Sequence, residues 1–354
     1  MSPGAELPAT MRAAVYRGRR EIVVNDRRLP DLGPRDALVQ VSHCGVCGTD
    51  LHMVLEGWGR PGSVPGHEYA GRIVALGPDV TSWALGEPVV GGPRESCGHC
   101  VHCDAGRPSL CAARADIAGE DGPDGAFAEY VRVHESQLLR LPEGLSLRVA
   151  ALAEPLAVAL HALTRGAISE GAPAQRVLVT GAGPLGLLTV AALAARGVQE
   201  IRVSEPAAGR RERAARVGAT ETCTPGDLVA PVMPYALVDD PVDVAFECSG
   251  HPEAMEGALG QLGRAGTLVL VGTGMKRPRL DHNRILLNEL VVTGAYTYDE
   301  DGMADAIALL GSGRLPTDWL IEPQDVPLEG MLAAMERLAT GEIPAKVMVI
   351  PGTR

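Results

Sequence analysis

The chain has 354 residues, more than one ordinary hydrophobic core accommodates, so two domains are expected. Hydrophobic residues make up 46% and aromatics only 3%, so the cores must be built from Ala, Val and Leu. A net charge of −12 argues against nucleic acid or an anionic membrane surface as a partner, and no apolar run approaches the roughly 18 residues of a spanning helix.

From the N-terminus, Met1 to Thr10 lacks a basic stretch followed by an apolar one, so it reads as a short disordered extension and not a signal peptide. A cytoplasmic location is expected. The first part of the chain is then strand-like. Met11–Tyr16, Ile22–Asn25, Ala37–Ser42 and Gly71–Leu76 are short, β-rich and broken by Gly and Pro. Phe127–Val133 and Gln137–Leu141 continue that style, and the Ala-rich stretch Val149–Leu163 predicts a helix. The rhythm then changes to strands alternating with helices. Strands are expected at Arg176–Thr180, Glu200–Glu205, Val242–Glu247, Thr267–Val271 and Leu290–Gly294. Helices are expected at Pro184–Arg196, Ala207–Val217 and Glu253–Leu262. That alternation implies a doubly wound parallel sheet. Helices at Met303–Leu310 and Leu328–Thr340 and a strand at Lys346–Ile350 close the chain.

Three motifs carry chemistry. Cys97, Cys100, Cys103 and Cys111 are spaced C-x2-C-x2-C-x7-C, which lets four thiolates meet at one point. Four thiolates suit a tetrahedral zinc and leave no open position, so this zinc is structural. Two disulfides or four unrelated thiols are the alternatives, and the intracellular look of the chain disfavours disulfides. His99 and His102 then read as solvated loop residues.

The second motif is Gly181-Ala182-Gly183-Pro184-Leu185-Gly186, a G-x-G-x-x-G turn between a predicted strand and a predicted helix. In that context Gly181 permits the tight turn, Gly183 clears room for a pyrophosphate, and Gly186 lets the helix pack close to the strand. The helix N-terminus offers free N–H groups to phosphates. Glu205, 24 positions after Gly181, is placed to accept hydrogen bonds from adenosine ribose hydroxyls and to repel a 2′-phosphate, which favours NAD over NADP. Arg210 and Arg211 follow closely and pull the other way, either as a phosphate clamp or as a solvated helix face.

The third motif is the run Cys44 to His52 followed by Gly66-His67-Glu68. Cys, His and Glu are zinc ligands, and three protein ligands plus one open position make a catalytic zinc. Leu51, Met53, Val54, Leu55 and Trp58 follow and suit either an apolar substrate pocket or ordinary packing.

With these motifs in this order, the chain resembles the zinc-dependent medium-chain alcohol and polyol dehydrogenases, near the sorbitol and threonine dehydrogenase branch. The resemblance extends from about Met11 to Val349. It implies a GroES-like, β-rich catalytic domain over 1–157 and 296–354, with a structural-zinc lobe at about 94–115, and a Rossmann domain over 158–295. It implies two zinc ions per chain, a nicotinamide cofactor and a homodimer or homotetramer. The cysteine directly before Gly-Thr-Asp, Cys47, is the implied catalytic ligand, with His67 and Glu154 completing the shell and Glu68 exchanging with them. Asp50 is expected to orient His67 through its other ring nitrogen. Thr49 and His52 carry the implied proton relay, and Lys346 resembles the basic residue that meets the cofactor pyrophosphate. Arg210 is grouped with Gly181, Gly183, Pro184, Leu185, Gly186, Glu205 and Lys346 as cofactor-binding. The implied reaction moves a hydride between a primary or secondary alcohol and NAD. A zinc-independent reductase of conjugated carbonyls and a non-catalytic zinc- and nucleotide-binding protein are the alternatives.

Overall fold

A computed structural model of the chain describes residues 7–91, 96–113, 124–169, 175–299 and 301–352. Most of the expected N-terminal extension and the ends of the expected zinc lobe (94–95 and 114–115) lie outside the described residues. The chain divides into two compact units. The first comprises Met1–Pro155, Asp299–Ser312 and Glu322–Arg354, and the second Leu156–Tyr298 and Gly313–Ile321.

In the first unit a seven-stranded sheet is built around Asp36–Gly45 and Glu68–Leu76, which pair antiparallel. Pro88–Gly91 and then Leu138–Arg140 extend it on one side, and Met348–Ile350 with Val326–Pro327 on the other. Tyr130–His134 pairs with Asp36–Gly45, and Thr10–Gly18 forms a hairpin with Glu21–Arg28. The inward positions of these strands, among them Val39, Val41, Ile73 and Val89, join Phe127 and Met331 and Met335 of the helix Met331–Ala339 in one apolar core. Register shifts interrupt the central pair at Leu38/Val39 and at Val41/His43. Such irregularities re-aim a strand locally, and the second lies just before Cys47.

The second unit is a six-stranded parallel sheet with spatial order Glu221–Cys223, Glu200–Ser204, Arg176–Thr180, Val242–Glu247, Leu262–Leu270, Val291–Gly294. Helices Pro184–Ala195, Ala208–Val217 and Pro252–Gln261 form crossovers. Strands buried on both faces read as continuous Val, Leu and Ile runs, which is why Arg176–Thr180 and Val242–Glu247 match their expected bounds.

Several details differ from the sequence-based expectation; among them, the expected strand Phe127–Val133 is Tyr130–His134. The Ala-rich stretch is two helices, Leu147–Ala150 and Ala153–Arg165, each with its own start. Ser146 caps the first by accepting from the Val149 amide. The strands Pro88–Gly91 and Glu221–Cys223 are too short to show periodicity. Residues Gly313–Ile321 belong to the second unit, because Arg213 donates to the Trp319 carbonyl and the Arg216 guanidinium lies over the Trp319 ring.

Candidate metal and nucleotide sites

The first metal cluster is local. Cys97, Cys100, Cys103 and Cys111 bring their Sγ atoms within 4.8 Å of one another. Cys97 and Cys103 are 3.9 Å apart, and Cys100 and Cys103 3.6 Å. Disulfide sulfurs sit at about 2.05 Å. Four sulfurs about 2.3 Å from one centre stand about 3.8 Å apart along the tetrahedron's edges. The observed spacing is that of a tetrahedral thiolate site and not of two disulfides. Backbone groups of Ala112 and Cys103 draw the Cys100 thiol down to about 6. The His99 backbone acts in the same sense on Cys97, but packing and the neighbouring thiols Cys111 and Cys100 hold it up at about 11. The Cys97 amide points at Cys111 Sγ, at 3.3 Å. Arg107 and the Ser109 amide bind the carboxylate of Asp299, which ties the lobe to the segment before helix Gly302–Gly311.

The second cluster is assembled from distant segments. Cys47 precedes the helical turn Gly48–Leu51, and its backbone N–H donates to Asp50 Oδ2 at 2.9 Å. His67 and Glu68 stand at the start of the neighbouring strand. Gly66 adopts φ +102°, and a Cβ there would meet the Phe127 amide at 2.8 Å and Cys44 Sγ at 3.0 Å. Cys47, His67 and Glu68 each place a ligand atom within 4.8 Å of the other two. Glu154 lies outside that mutual distance, so the geometric set is Cys47, His67 and Glu68, not the expected Cys47, His67 and Glu154. Glu68 has room for its place because Gly45 has no side chain: a Cβ there would fall 2.2 Å from Glu68 Oε2.

The electrostatics of this cluster identify its missing partner. Glu68 is fully buried, and its Oε1 accepts from Lys346 Nζ at 2.7 Å. Glu68 Oε2 and Asp50 Oδ1 are buried without a hydrogen-bond partner among the described residues. Orphaned buried oxygens of this kind are costly. Burial raises Glu154 to about 7; His67 and Lys346 oppose that shift, while Glu68 and Asp50 reinforce it. Packing works to lower His67, but Cys47, Asp50 and Glu154 outweigh it and push its pKa well above the usual range. The donor set, the unpartnered carboxylate oxygens and the excess of negative groups over the single Lys346 together fit a divalent cation.

Two expected roles change. Lys346 is 2% exposed, and its ammonium is held by Glu68 and the Val46 carbonyl (3.0 Å). Burial works against its charge, and Glu68 and Cys47 restore it. It is therefore a buried counter-ion to Glu68 and not a free phosphate contact. Asp50 Oδ1 is 3.9 Å from His67 Nδ1, too long for the expected orienting hydrogen bond, because Oδ2 is spent on the Cys47 amide. Thr49 is exposed on the helical turn, and His52 opens the π-helical turn His52–Glu56. Of the apolar residues that follow, Val54 and Leu55 are buried in the core, with Leu51 and Met53 packed against it. That favours packing over a pocket for these four.

In the second unit the glycine turn has the expected geometry. Gly181 has φ +87°, and a Cβ on Gly186 would fall 1.9 Å from the Gly181 carbonyl oxygen. A Cβ on Gly183 would meet nothing, so open space lies over the N-terminus of helix Pro184–Ala195. Glu205 is buried and points back at this turn. Its Oε2 accepts from the Ala182 amide at 2.8 Å and its Oε1 from the Ala207 amide at 2.9 Å. Each oxygen retains a lone pair for a further donor. Burial lowers Arg210, and Glu205 opposes that shift, while Arg211 donates to the Glu205 and Pro206 carbonyls. Sequence reasoning did not single out Glu247, a fully buried carboxylate at the end of the next strand that accepts from the Ser249 and Gly250 amides. Its only sequence signal is an acidic residue ending an apolar strand run.

Comparison with known proteins agrees with this architecture. Residues 33–143 match the alcohol dehydrogenase GroES-like domain, and residues 184–312 match the zinc-binding dehydrogenase domain. Sorbitol dehydrogenase of Bacillus subtilis is 34% identical over 98% of both chains. L-threonine 3-dehydrogenase of Pyrococcus horikoshii is 33% identical over 91% of this chain and 93% of its own. A solved zinc-binding dehydrogenase from Sinorhizobium meliloti, bound to NADP, is 31% identical and superposes with a TM-score of 0.82 over 97% of this chain and 100% of that one. The chain belongs to the zinc-dependent medium-chain alcohol dehydrogenase family. It is an oxidoreductase that acts on small-molecule alcohols with a nicotinamide cofactor. Among the described residues no helix is long and apolar enough to cross a membrane.

Proposed function

We propose that the chain interconverts a secondary alcohol and its ketone with NAD, using one catalytic and one structural zinc. Cys47, His67 and Glu68 would hold the catalytic ion, with Glu154 as an exchanging ligand. The observation that carries this reading is the mutual approach of those three ligand atoms beside a buried, unpartnered carboxylate oxygen. A zinc bound there supplies Lewis acidity toward a substrate oxygen. The chain's own groups do the rest. Lys346 holds the buried Glu68 carboxylate in place by an ion pair. Thr49, two residues from Cys47, offers a hydroxyl for passing the substrate proton, and His52 accepts it.

Gly181, Gly183, Pro184, Leu185 and Gly186 would cradle the pyrophosphate at the helix N-terminus. Glu205 supports NAD over NADP: two amides hold its carboxylate in place, and a fixed negative charge repels a 2′-phosphate. Arg210 would lie at the edge of that site. The relatives named for sorbitol and for L-threonine share a secondary alcohol, which makes polyols and aminoalcohols the first substrates to try. A cytoplasmic homodimer or homotetramer completes the proposal.

The test is metal analysis joined to a substrate panel of polyols, aminoalcohols, cyclic and aliphatic alcohols with each cofactor. Two zinc ions per chain, one removable with loss of turnover, are expected. A fully active preparation with one zinc per chain would sink the catalytic assignment. A clear preference for NADP would contradict the reading of Glu205, and Glu205→Ala is expected to move the NADP/NAD ratio of kcat/KM upward by about tenfold or more.

A further inference from the structure

The strand order of the second unit reverses between Arg176–Thr180 and Val242–Glu247. From the first of these the chain winds outward through Glu200–Ser204 to Glu221–Cys223. From the second it winds the other way, through Leu262–Leu270 to Val291–Gly294. Loops that part in opposite directions leave a crevice at the carboxyl ends of their strands, and open α/β sheets bind ligands there. One wall of this crevice is the glycine turn after Thr180. The other is Cys248-Ser249-Gly250. Glu247, the last residue of its strand, stands opposite Thr180 in register.

Glu247 is fully buried, and among the described residues every hydrogen bond of its side chain goes to that second wall. Its Oε1 accepts from the Ser249 amide at 2.8 Å, from the Gly250 amide at 3.0 Å and from the Ser249 hydroxyl. Its Oε2 accepts from the Gly250 amide at 3.1 Å. Hydrogen bonds to an ionised acceptor are the strong ones, so the carboxylate holds its own loop in one shape. Gly250 takes φ +74°, and a Cβ there would lie 2.0 Å from the Thr273 carbonyl oxygen, so the loop is also backed by the next one. The two walls meet. The Cys248 amide donates to the Thr180 carbonyl at 2.9 Å, and a Cβ on Gly181 would fall 2.7 Å from Ser249 Cβ. Ser249 therefore lies directly against the residue that opens the glycine turn.

We propose that Glu247 is a positioning residue for the nicotinamide dinucleotide: it locks the segment 248–250 against Gly181 and so holds the amides of the glycine turn in the arrangement that receives the pyrophosphate. The inference rests on the reading of residues 181–186 as the pyrophosphate cradle. Glu247 acts through Ser249 and Gly181. An ionised carboxylate suits the task because it only accepts, and here it must accept from two consecutive amides and a hydroxyl. A glutamine in its place turns an NH2 group toward one of those donors.

The test uses the full-length, zinc-loaded chain and its variants Glu247→Gln, Ser249→Ala and Gly183→Val. Zinc content and thermal midpoints are checked first. NADH affinity is read from NADH fluorescence, and amide hydrogen exchange is followed without cofactor. Glu247→Gln is expected to raise the NADH Kd and the KM for NAD about tenfold without lowering kcat. It should also speed exchange within 181–186 and 248–250 and leave the rest of the sheet unchanged. Ser249→Ala keeps the amide bonds to Glu247 and loses the hydroxyl bond, so it should raise the NADH Kd about threefold; it decides the matter if Glu247→Gln does not fold. Gly183→Val fills the open space over the helix N-terminus and should abolish NADH binding. Wild-type NADH affinity in Gly183→Val would sink the cradle reading and this inference with it. Lost binding in Gly183→Val beside wild-type affinity in Glu247→Gln, or in Ser249→Ala where Glu247→Gln does not fold, would overturn the Glu247 role alone. Faster exchange across the whole second unit with an unchanged NADH Kd would mark Glu247 as merely structural and overturn that role as well.

Discussion

The two metal clusters of the first unit are built on opposite plans. The four-cysteine lobe draws identical donors from fifteen consecutive residues, Cys97 to Cys111. Its sulfurs already stand at tetrahedral spacing, with no carboxylate grouped with them among the described residues. The Cys47 cluster mixes a thiol, an imidazole and a carboxylate from two segments, and places Asp50, Glu154 and Lys346 around them. A closed shell of like donors can only hold a fold together. A mixed and incomplete set, with charge left unbalanced, can take a substrate oxygen. Chemistry belongs where the shell is deliberately unfinished.

The sharpest way to break that contrast is to remove one cysteine from each cluster. Cys47→Ser should lower kcat by about 10³-fold or more while the thermal midpoint moves little, because the loss is of Lewis acidity and not of core packing. Cys100→Ser should reduce zinc from two per chain to one and lower the midpoint, with turnover per folded molecule largely kept. Equal loss of turnover from both would erase the distinction. A second, smaller effect concerns Lys346. Lys346→Met leaves Glu68 as a buried, uncompensated charge and should cost about 3–5 kcal/mol of stability by denaturant titration. A neutral result would mean that the ammonium serves something other than Glu68.

The smallest effect is in pH. Metal binding requires deprotonated ligands. In the metal-free cluster Glu154 sits at about 7 and His67 is raised well above its usual range, so protons compete with the ion increasingly as pH falls. Zinc retention against a chelator should therefore weaken between pH 8 and pH 6 for the Cys47 cluster. In the lobe, Cys100 is drawn down to about 6 but Cys97 is held up at about 11, so proton competition there falls on Cys97 and zinc release from the lobe should follow a pH dependence of its own. Simultaneous release of both ions would contradict the electrostatic difference between the two.

Much of this was legible in the chain, for physical reasons. Ligand types at short spacing, such as Cys97 to Cys111, and a glycine turn between a strand and a helix are local, and local patterns survive in one dimension. The buried parallel strands announce themselves as Val-rich runs. What stayed hidden depends on contacts across long separations. Lys346 meets Glu68 from 278 positions away, and nothing near either residue says so. The place of Glu68 in the ligand set depends on an absent side chain at Gly45. The attachment of Gly313–Ile321 to the second unit depends on Arg213 and Arg216 finding Trp319, more than a hundred residues on. Helical breaks at Ala151–Leu152 are invisible to composition, because both halves are equally rich in alanine and leucine.

Gly45 offers no donor atom, yet its missing side chain leaves the room that the Glu68 carboxylate occupies. A catalogue of ligands would pass over it. A clinical or environmental variant carrying even alanine there would retain every zinc-binding motif while displacing Glu68 from its seat beside Lys346. Such a sequence would still be read as an intact dehydrogenase, although the Glu68 carboxylate would have had to shift. In this enzyme the inheritance of function runs partly through an empty space.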